Sequence, residues 1–165
     1  MQNLAKKFQS VQTQLQKNSW FKKEGWIIST HPFPKTKPDG LTFHIYKKNW
    51  FNEDSLGIHI ESFLYLDSKK RKKSYITLHL LHHDQIPGTK LKRAHLSKPI
   101  VDQIYDEVSS WDGYAFRAGK YGLQPFTKTL DGTSDEFESQ LVAEVSKVCK
   151  VVGPAVDAAI ENTKS

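Results

Sequence analysis

A single cysteine, Cys149, stands in 165 residues. That excludes an internal disulfide and any paired-cysteine metal or redox motif. It also fits a reducing compartment. Long hydrophobic runs are missing too: no stretch approaches the ~20 apolar residues that cross a bilayer, so no membrane partner is expected. The opening "MQNLAKKFQS" carries lysines with no apolar stretch behind them, so a secretory signal is not expected and the cytoplasm is the expected location. Motif-grade chemistry is equally scarce. The chain has no H-E-x-x-H, no P-loop and no nuclease-like D…E-x-K, Glu61 being followed by Ser62 and Phe63. It also lacks the RNA-recognition run K/R-G-F-G-F-V.

What is present is the composition of one folded domain, 38% hydrophobic and 25% charged, long enough to bury a real core. Lysine and arginine number 24 against 18 acidic residues, a net charge of +6. A basic surplus concentrates anions such as phosphate backbones near the surface.

Periodicity divides the chain. Leu4, Phe8, Val11 and Leu15 draw one stripe down an amphipathic helix over 2–17. Residues 24–83 read as sheet. "GWIISTHPFP" is short and β-branched, and "KTKPDG" is turn-forming. "LTFHIYKKNW" alternates Leu41, Phe43, Ile45 with Thr42, His44, Tyr46. "LGIHIESFLYLD" alternates Ile58, Ile60, Leu64 with His59, Glu61, Phe63, Tyr65. "SYITLHLLHH" alternates Ile76, Leu78, Leu80 with Tyr75, Thr77, His79. Three period-two segments joined by polar turns predict an antiparallel meander. A helix is expected at 97–111, with Ser97 as cap, Pro99 in the first turn and Gly113 as stop. It should bury Ile100, Ile104, Val108 and Trp111. "YAFRAGKYGLQPFTK" reads as one further short strand and a Gly-rich loop. Thr133 and Glu136 have capping-box spacing, so a C-terminal helix is expected over 133–152, kinked at Gly153-Pro154. The expected fold is a single α+β domain: an antiparallel meander sheet of four to five strands with three helices packed mainly on one face.

Three of the seven histidines crowd into "ITLHLLHHDQ". On a strand His79 and His83 point one way and His82 the other, so the triplet cannot act as one chelate. A non-local set is more informative. A hairpin centred on Lys70 sets Glu61 opposite His79, Phe63 opposite Thr77 and Tyr65 opposite Tyr75. The preceding hairpin brings His44 beside Glu61 or His59. One face then carries His44, Tyr46, His59, Glu61, Phe63, Tyr65, Tyr75 and His79, with aliphatic core behind. Imidazoles and a carboxylate are the ligand set of zinc or a similar divalent ion, here His59, Glu61 and His79. No other cofactor is expected.

Candidate anion contacts are Lys69, Lys70, Arg71, Lys72 and Lys73 in the second turn, with Arg117 and Lys120 in the Gly-rich loop. Lys47, Lys48, Lys90, Lys92 and Arg93 would extend that patch if the loops converged. Cys149 lies on a valine stripe and should be buried, and Trp50 is the tryptophan expected to be exposed. Asp54, Asp67, Asp84 and Asp112 fall at turns, where local hydrogen bonding explains them. Three readings follow. The first is a small non-catalytic module binding an anionic partner, nucleic acid foremost, through lysines and aromatic stacking. The second is a metal-dependent hydrolase built on the His/Glu cluster. The third is a protein-interaction domain using helix 2–17.

Overall fold

The computed structural model describes residues 4–32, 40–50, 57–65, 73–80 and 93–163. It is an α+β fold. The helices are α1 (Leu4–Lys17), α2 (Ser19–Lys23), α3 (Arg93–Ser109) and α4 (Phe137–Asn162). The strands are β1 (Trp26–Pro32), β2 (Gly40–Lys47), β3 (His59–Tyr65), β4 (Lys73–His79), β5 (Tyr114–Phe116) and β6 (Phe126–Asp131). They form one antiparallel sheet in the order β1-β2-β3-β4-β6-β5. The meander is thus the expected one, extended by the β5–β6 hairpin that the Gly-rich segment supplies. β6 lies inside because its partner β4 is reached by a crossover through α3, leaving three-residue β5 as the short edge.

Burial explains which face takes the helices. Ile28, Phe43, Ile45, Ile60, Leu64, Ile76 and Leu78 all point to one side and are almost wholly buried. There they meet Phe8, Val11 and Leu15 of α1, Ile100, Ile104 and Val108 of α3, and the long stripe of α4 from Phe137 to Ile160. The Phe8 ring stacks on Phe43 at 3.8 Å between centroids. The apolar stripe of α1 is therefore consumed by the domain's own core and is not a face left for a partner. This side is not purely aliphatic: besides Phe43 it holds Ser62 and Ser74, both fully buried. Ser74 donates to the Phe63 carbonyl at 3.1 Å.

Several helix ends depart from expectation. α3 starts at Arg93, so Ser97 is a fully buried interior residue and no cap, and Pro99 lies in the second turn. Trp111 falls beyond α3, with its ring on Tyr114. Gly113, at φ 76°, supplies the left-handed turn into β5. Thr133 takes no capping role: it bonds Asp131 within a turn, and α4 begins after Glu136 with no side-chain cap. α4 also runs unbroken through Gly153-Pro154 to Asn162. Proline removes one main-chain bond, but buried residues on both sides, Val148, Val152, Ala155, Val156, Ala159 and Ile160, hold the two halves on the same core. The glycine has a packing reason, since a Cβ there would lie 2.8 Å from Cζ2 of Trp26.

Trp50 is the clearest reversal. It is fully buried, not exposed. Its indole N–H donates to Asp157 of α4 at 2.8 Å, and Asn49 and Lys47 donate to the same carboxylate at 3.1 and 2.9 Å. Indole burial demands an acceptor, and Asp157 supplies it. Burial alone would raise this carboxyl; the hydrogen bonds from Trp50, Lys47 and Asn49 outweigh it and hold Asp157 below the usual carboxylate range.

Candidate metal centre on the second sheet face

The opposite sheet face gathers the imidazoles. Residues at alternate positions share a face, and the cross-strand register decides which of them meet. Ser29, His44, Glu61, Thr77 and Thr127 form one rung across β1, β2, β3, β4 and β6. His59 opposes His79 one rung along, and Phe63 opposes Tyr75 on the rung beyond Glu61. The expected register, with Glu61 opposite His79 and Tyr65 opposite Tyr75, is therefore displaced by two residues. A two-residue shift keeps every side chain on its predicted face, so the cluster survives with different partners. His44 meets Glu61, as one of its two expected placements has it.

The cluster has four rings. His31 lies 4.9 Å from His44, His44 stacks on His59 at 4.0 Å, and His59 meets His79 edge-on at 5.0 Å. Glu61 sits among them. Its Oε2 is 3.3 Å from His79 Nδ1, an ion-pair contact that does not have hydrogen-bond geometry. Its Oε1 is 4.0 Å from His44 Nε2 and accepts from the Thr42 hydroxyl at 3.2 Å. Burial by itself would raise the Glu61 carboxyl; His79, His59 and His44 together outweigh that and hold it below its ordinary value.

His59 is the pivotal group. It is 1% exposed. Its Nδ1 lies 2.7 Å from the Gly57 carbonyl, which can only accept, so Nδ1 carries the proton and Nε2 presents its lone pair. That Nε2 is buried and has no hydrogen-bond partner among the described residues. Burial first, then the neighbouring His44, pushes the imidazole down to about 3 against the opposing pull of Glu61, so it is neutral at physiological pH. A ring fixed by a backbone carbonyl on one nitrogen, with a bare lone pair on the other, is how metal-ligating histidines are oriented.

The ligating atoms of His44, His59 and Glu61 all lie within 4.8 Å of one another. Bonds of about 2.0–2.2 Å to a shared ion would draw them to roughly 3–3.5 Å apart. The expected trio of His59, Glu61 and His79 thus shares two members with the trio the geometry brings closest. His79 stands against the other oxygen of Glu61. His31, whose Nε2 is 2.9 Å from the Ser29 hydroxyl, was not singled out in the sequence. The signal was available: β1 alternates Ser29 and His31 against Ile28 and Thr30, on the polar side.

The remaining candidates lie apart from this centre or outside the described residues. Phe63 and Tyr75 stack at 5.0 Å with Tyr65 edge-on to both, and Tyr46 is partly buried. Lys69, Lys70, Arg71 and Lys72 lie outside the described residues, as do His82, His83, Lys90 and Lys92. Lys73 is exposed at the start of β4 beside the end of β6, whereas Arg117 and Lys120 follow β5 at its other end. At ~3.3 Å per residue those ends are about 17 Å apart, so these cations form no single patch. Lys120 is held over the Tyr105 ring at 4.2 Å, and Lys47 is committed to Asp157. Cys149 is buried, as the valine stripe required, and burial pushes its thiol well above its ordinary value.

Comparison with protein-family models, with curated proteins and with solved structures returns no match. Among the described residues no helix is long and apolar enough to cross a membrane.

Proposed function

We propose that this protein is a metal-dependent enzyme of hydrolytic type whose centre is one divalent transition-metal ion held by His44, His59 and Glu61. The observation that carries the reading is the bare, buried Nε2 lone pair of His59, on a ring set in direction by Gly57 and stacked on His44 at 4.0 Å, within a trio whose ligating atoms lie within 4.8 Å of one another. An unsatisfied buried acceptor costs about 1–3 kcal/mol, and coordination removes that cost. Three protein ligands leave a position for water, the pattern of catalytic rather than closed structural sites. A bound ion supplies a polarised water at neutral pH; His79, against the second oxygen of Glu61, fixes the carboxylate from behind.

Metal content is the test. After loading with zinc, manganese, iron(II) or nickel and exhaustive dialysis, one of these should remain at about one equivalent per chain. Glu61→Gln and His59→Leu should each lower retention severely. A chain that retains none of the four, or retains it equally in both variants, ends the proposal; a retained metal is then screened for hydrolysis of activated esters and phosphoesters.

A second reading, binding of an anionic partner such as single-stranded nucleic acid, draws on the net charge of +6 and on Lys73 and Tyr75 sharing a face with the Phe63–Tyr75 stack. Retention on heparin that falls with salt and with Lys69–Lys73 changed to Ser supports it. Unaffected retention removes it.

A further inference from the structure

The sheet ends at β5 on one side and at β1 on the other. A free edge is a template for another strand, and folds blunt it by shortness, lysine, proline or a covering segment. β5 is blunted by its length of three residues. β1 has seven residues, no lysine, and a proline only at its last position. Among the described residues the main chain of Ile27–Thr30 pairs with β2 alone and joins no other main-chain hydrogen bond. Ile27 is 40% exposed, and Ser29 and Thr30 are partly exposed.

Beside the start of this edge lies a groove of about 210 Å³, lined by Gln16 of α1, Phe21 and Lys22 of α2, and Trp26, Ile27 and Ile28 of β1. Its volume is below that of small-molecule sites and suits a side chain. A strand laid along β1 sends alternate side chains to opposite faces, so one set of them runs past this groove while the main chain takes up the open ladder.

Charge selects the strand. α1 and α2 carry Lys6, Lys7, Lys17, Lys22 and Lys23 and no acid at all. None of the five has an ion-pair partner within 4.0 Å among the described residues. Gln12 accepts from the Thr30 hydroxyl and Gln16, one turn on, lines the groove, so this flank of α1 faces β1. Glu138 of α4 accepts from Ser10 and Gln14, at 2.9 and 3.3 Å, on the opposite flank. Lys22 borders the groove and Lys23 follows it, ahead of the single acid Glu24. A second copy of this chain would offer its own β1, which contains no acid to answer these lysines. An acidic segment answers them.

We infer that the outer edge of β1 docks an extended acidic segment of a partner protein as an added strand, its main chain on Ile27–Thr30 and its carboxylates toward Lys22 and Lys23. The contact uses none of the three proposed metal ligands.

The probe is a fluorescein-labelled heptapeptide of alternating glutamate and valine. One control is the same peptide N-methylated throughout, which keeps the charge and removes the main-chain donors; another replaces every glutamate by lysine. The glutamate peptide should give saturable anisotropy with a Kd of about 0.1 mM or tighter. N-methylation should weaken it by about tenfold or more, and the lysine peptide should not saturate. Lys22→Glu with Lys23→Glu, both at exposed positions, should weaken the glutamate peptide about tenfold. In hydrogen exchange followed by NMR, that peptide should slow those amides of Ile27–Thr30 that are not bonded to β2. The proposal is overturned if the glutamate peptide does not saturate, if either control binds equally well, or if the lysine variant binds unchanged. It is equally overturned if protection falls elsewhere than on β1, if a thymidine oligonucleotide protects the same amides, or if they are protected without peptide in proportion to protein concentration, the mark of self-pairing.

Discussion

Removing the Asp157 carboxylate should destabilise the domain far more than its partial exposure suggests. Three donors converge on it from the end of β2 and the turn after it: Lys47 at 2.9 Å, Asn49 at 3.1 Å and Trp50 at 2.8 Å. Lys47 and Asn49 can turn to water when the acceptor goes. The Trp50 indole cannot, because it is fully buried. Asp157→Ala therefore strands a buried N–H, at about 1–3 kcal/mol, and forfeits a hydrogen bond to a charged acceptor. A total near 2–4 kcal/mol is expected, and for a chain of this size that lowers Tm by roughly 4–16 °C. The pH dependence carries a definite sign. Asp157 is held below its ordinary value in the folded state, so its contribution is present above the unfolded pKa, near 3.8, and is lost as pH falls through the lower folded value. Urea denaturation of the native protein and Asp157→Asn at pH 7, 5, 4 and 3 tests this: the gap between them should hold at the first two and close below pH 4. A cycle with Trp50→Phe isolates the indole contact, which should couple to Asp157 by about 1 kcal/mol or more. A gap under about 0.5 kcal/mol that ignores pH would refute the view that this carboxylate pins α4 to the sheet.

Other outcomes follow from the same packing and from the proposed centre. Zinc at about 100 times its Kd should stabilise the protein by about 2.7 kcal/mol, raising Tm by roughly 5–11 °C, and EDTA or His59→Leu should abolish the rise in a scanning fluorimetry trace. Gly153→Ala should destabilise by about 1–2 kcal/mol in chemical denaturation: overpacking against Trp26, 2.8 Å from the new Cβ, exceeds the gain in helix propensity. Cys149, being 1% exposed, should react with a thiol reagent only as fast as the domain opens, so a rate matching an exposed thiol would contradict its placement.

The sheet was legible because its evidence is local. Ile58, Ile60 and Leu64 against His59, Glu61 and Phe63 is a pattern that no helix tolerates, and face assignment needs only parity. Register needs turn geometry as well: the observed pairs sum to 138, as in His59 with His79, where a hairpin centred on Lys70 requires 140. Parity survived and the named partners did not. β5 and β6 were half visible because Gly119, Gly122 and Pro125 obscure the alternation of two short strands. The unbroken α4 was illegible for a different reason. Gly-Pro predicts a break from local terms alone, and what overrides it is burial of Val156 and Ile160 together with the approach of Trp26, a residue more than 120 positions away. The burial of Trp50 is illegible likewise, because Asp157, the acceptor that makes it tolerable, is 107 residues distant.

The histidine face also says something about why this sheet is built as it is. A strand position wants a β-branched or aromatic side chain, and Thr or Val would satisfy the backbone at 44, 59 and 79 and would leave no buried nitrogen without a partner at 59. The chain instead stacks His44 on His59 at 4.0 Å and buries a carboxylate beside them. The cost falls on three adjacent interior strands, β2, β3 and β4, while the core layer behind them is apolar apart from Ser62 and Ser74. Local rules broken together, in the best-supported part of a sheet, are where a fold spends stability on a site. Random tolerance would scatter such exceptions to the edges, onto β1 or β5, where an orphaned nitrogen could reach water. His59 is instead 1% exposed on an interior strand, and its Nε2 lone pair has no hydrogen-bond partner among the described residues.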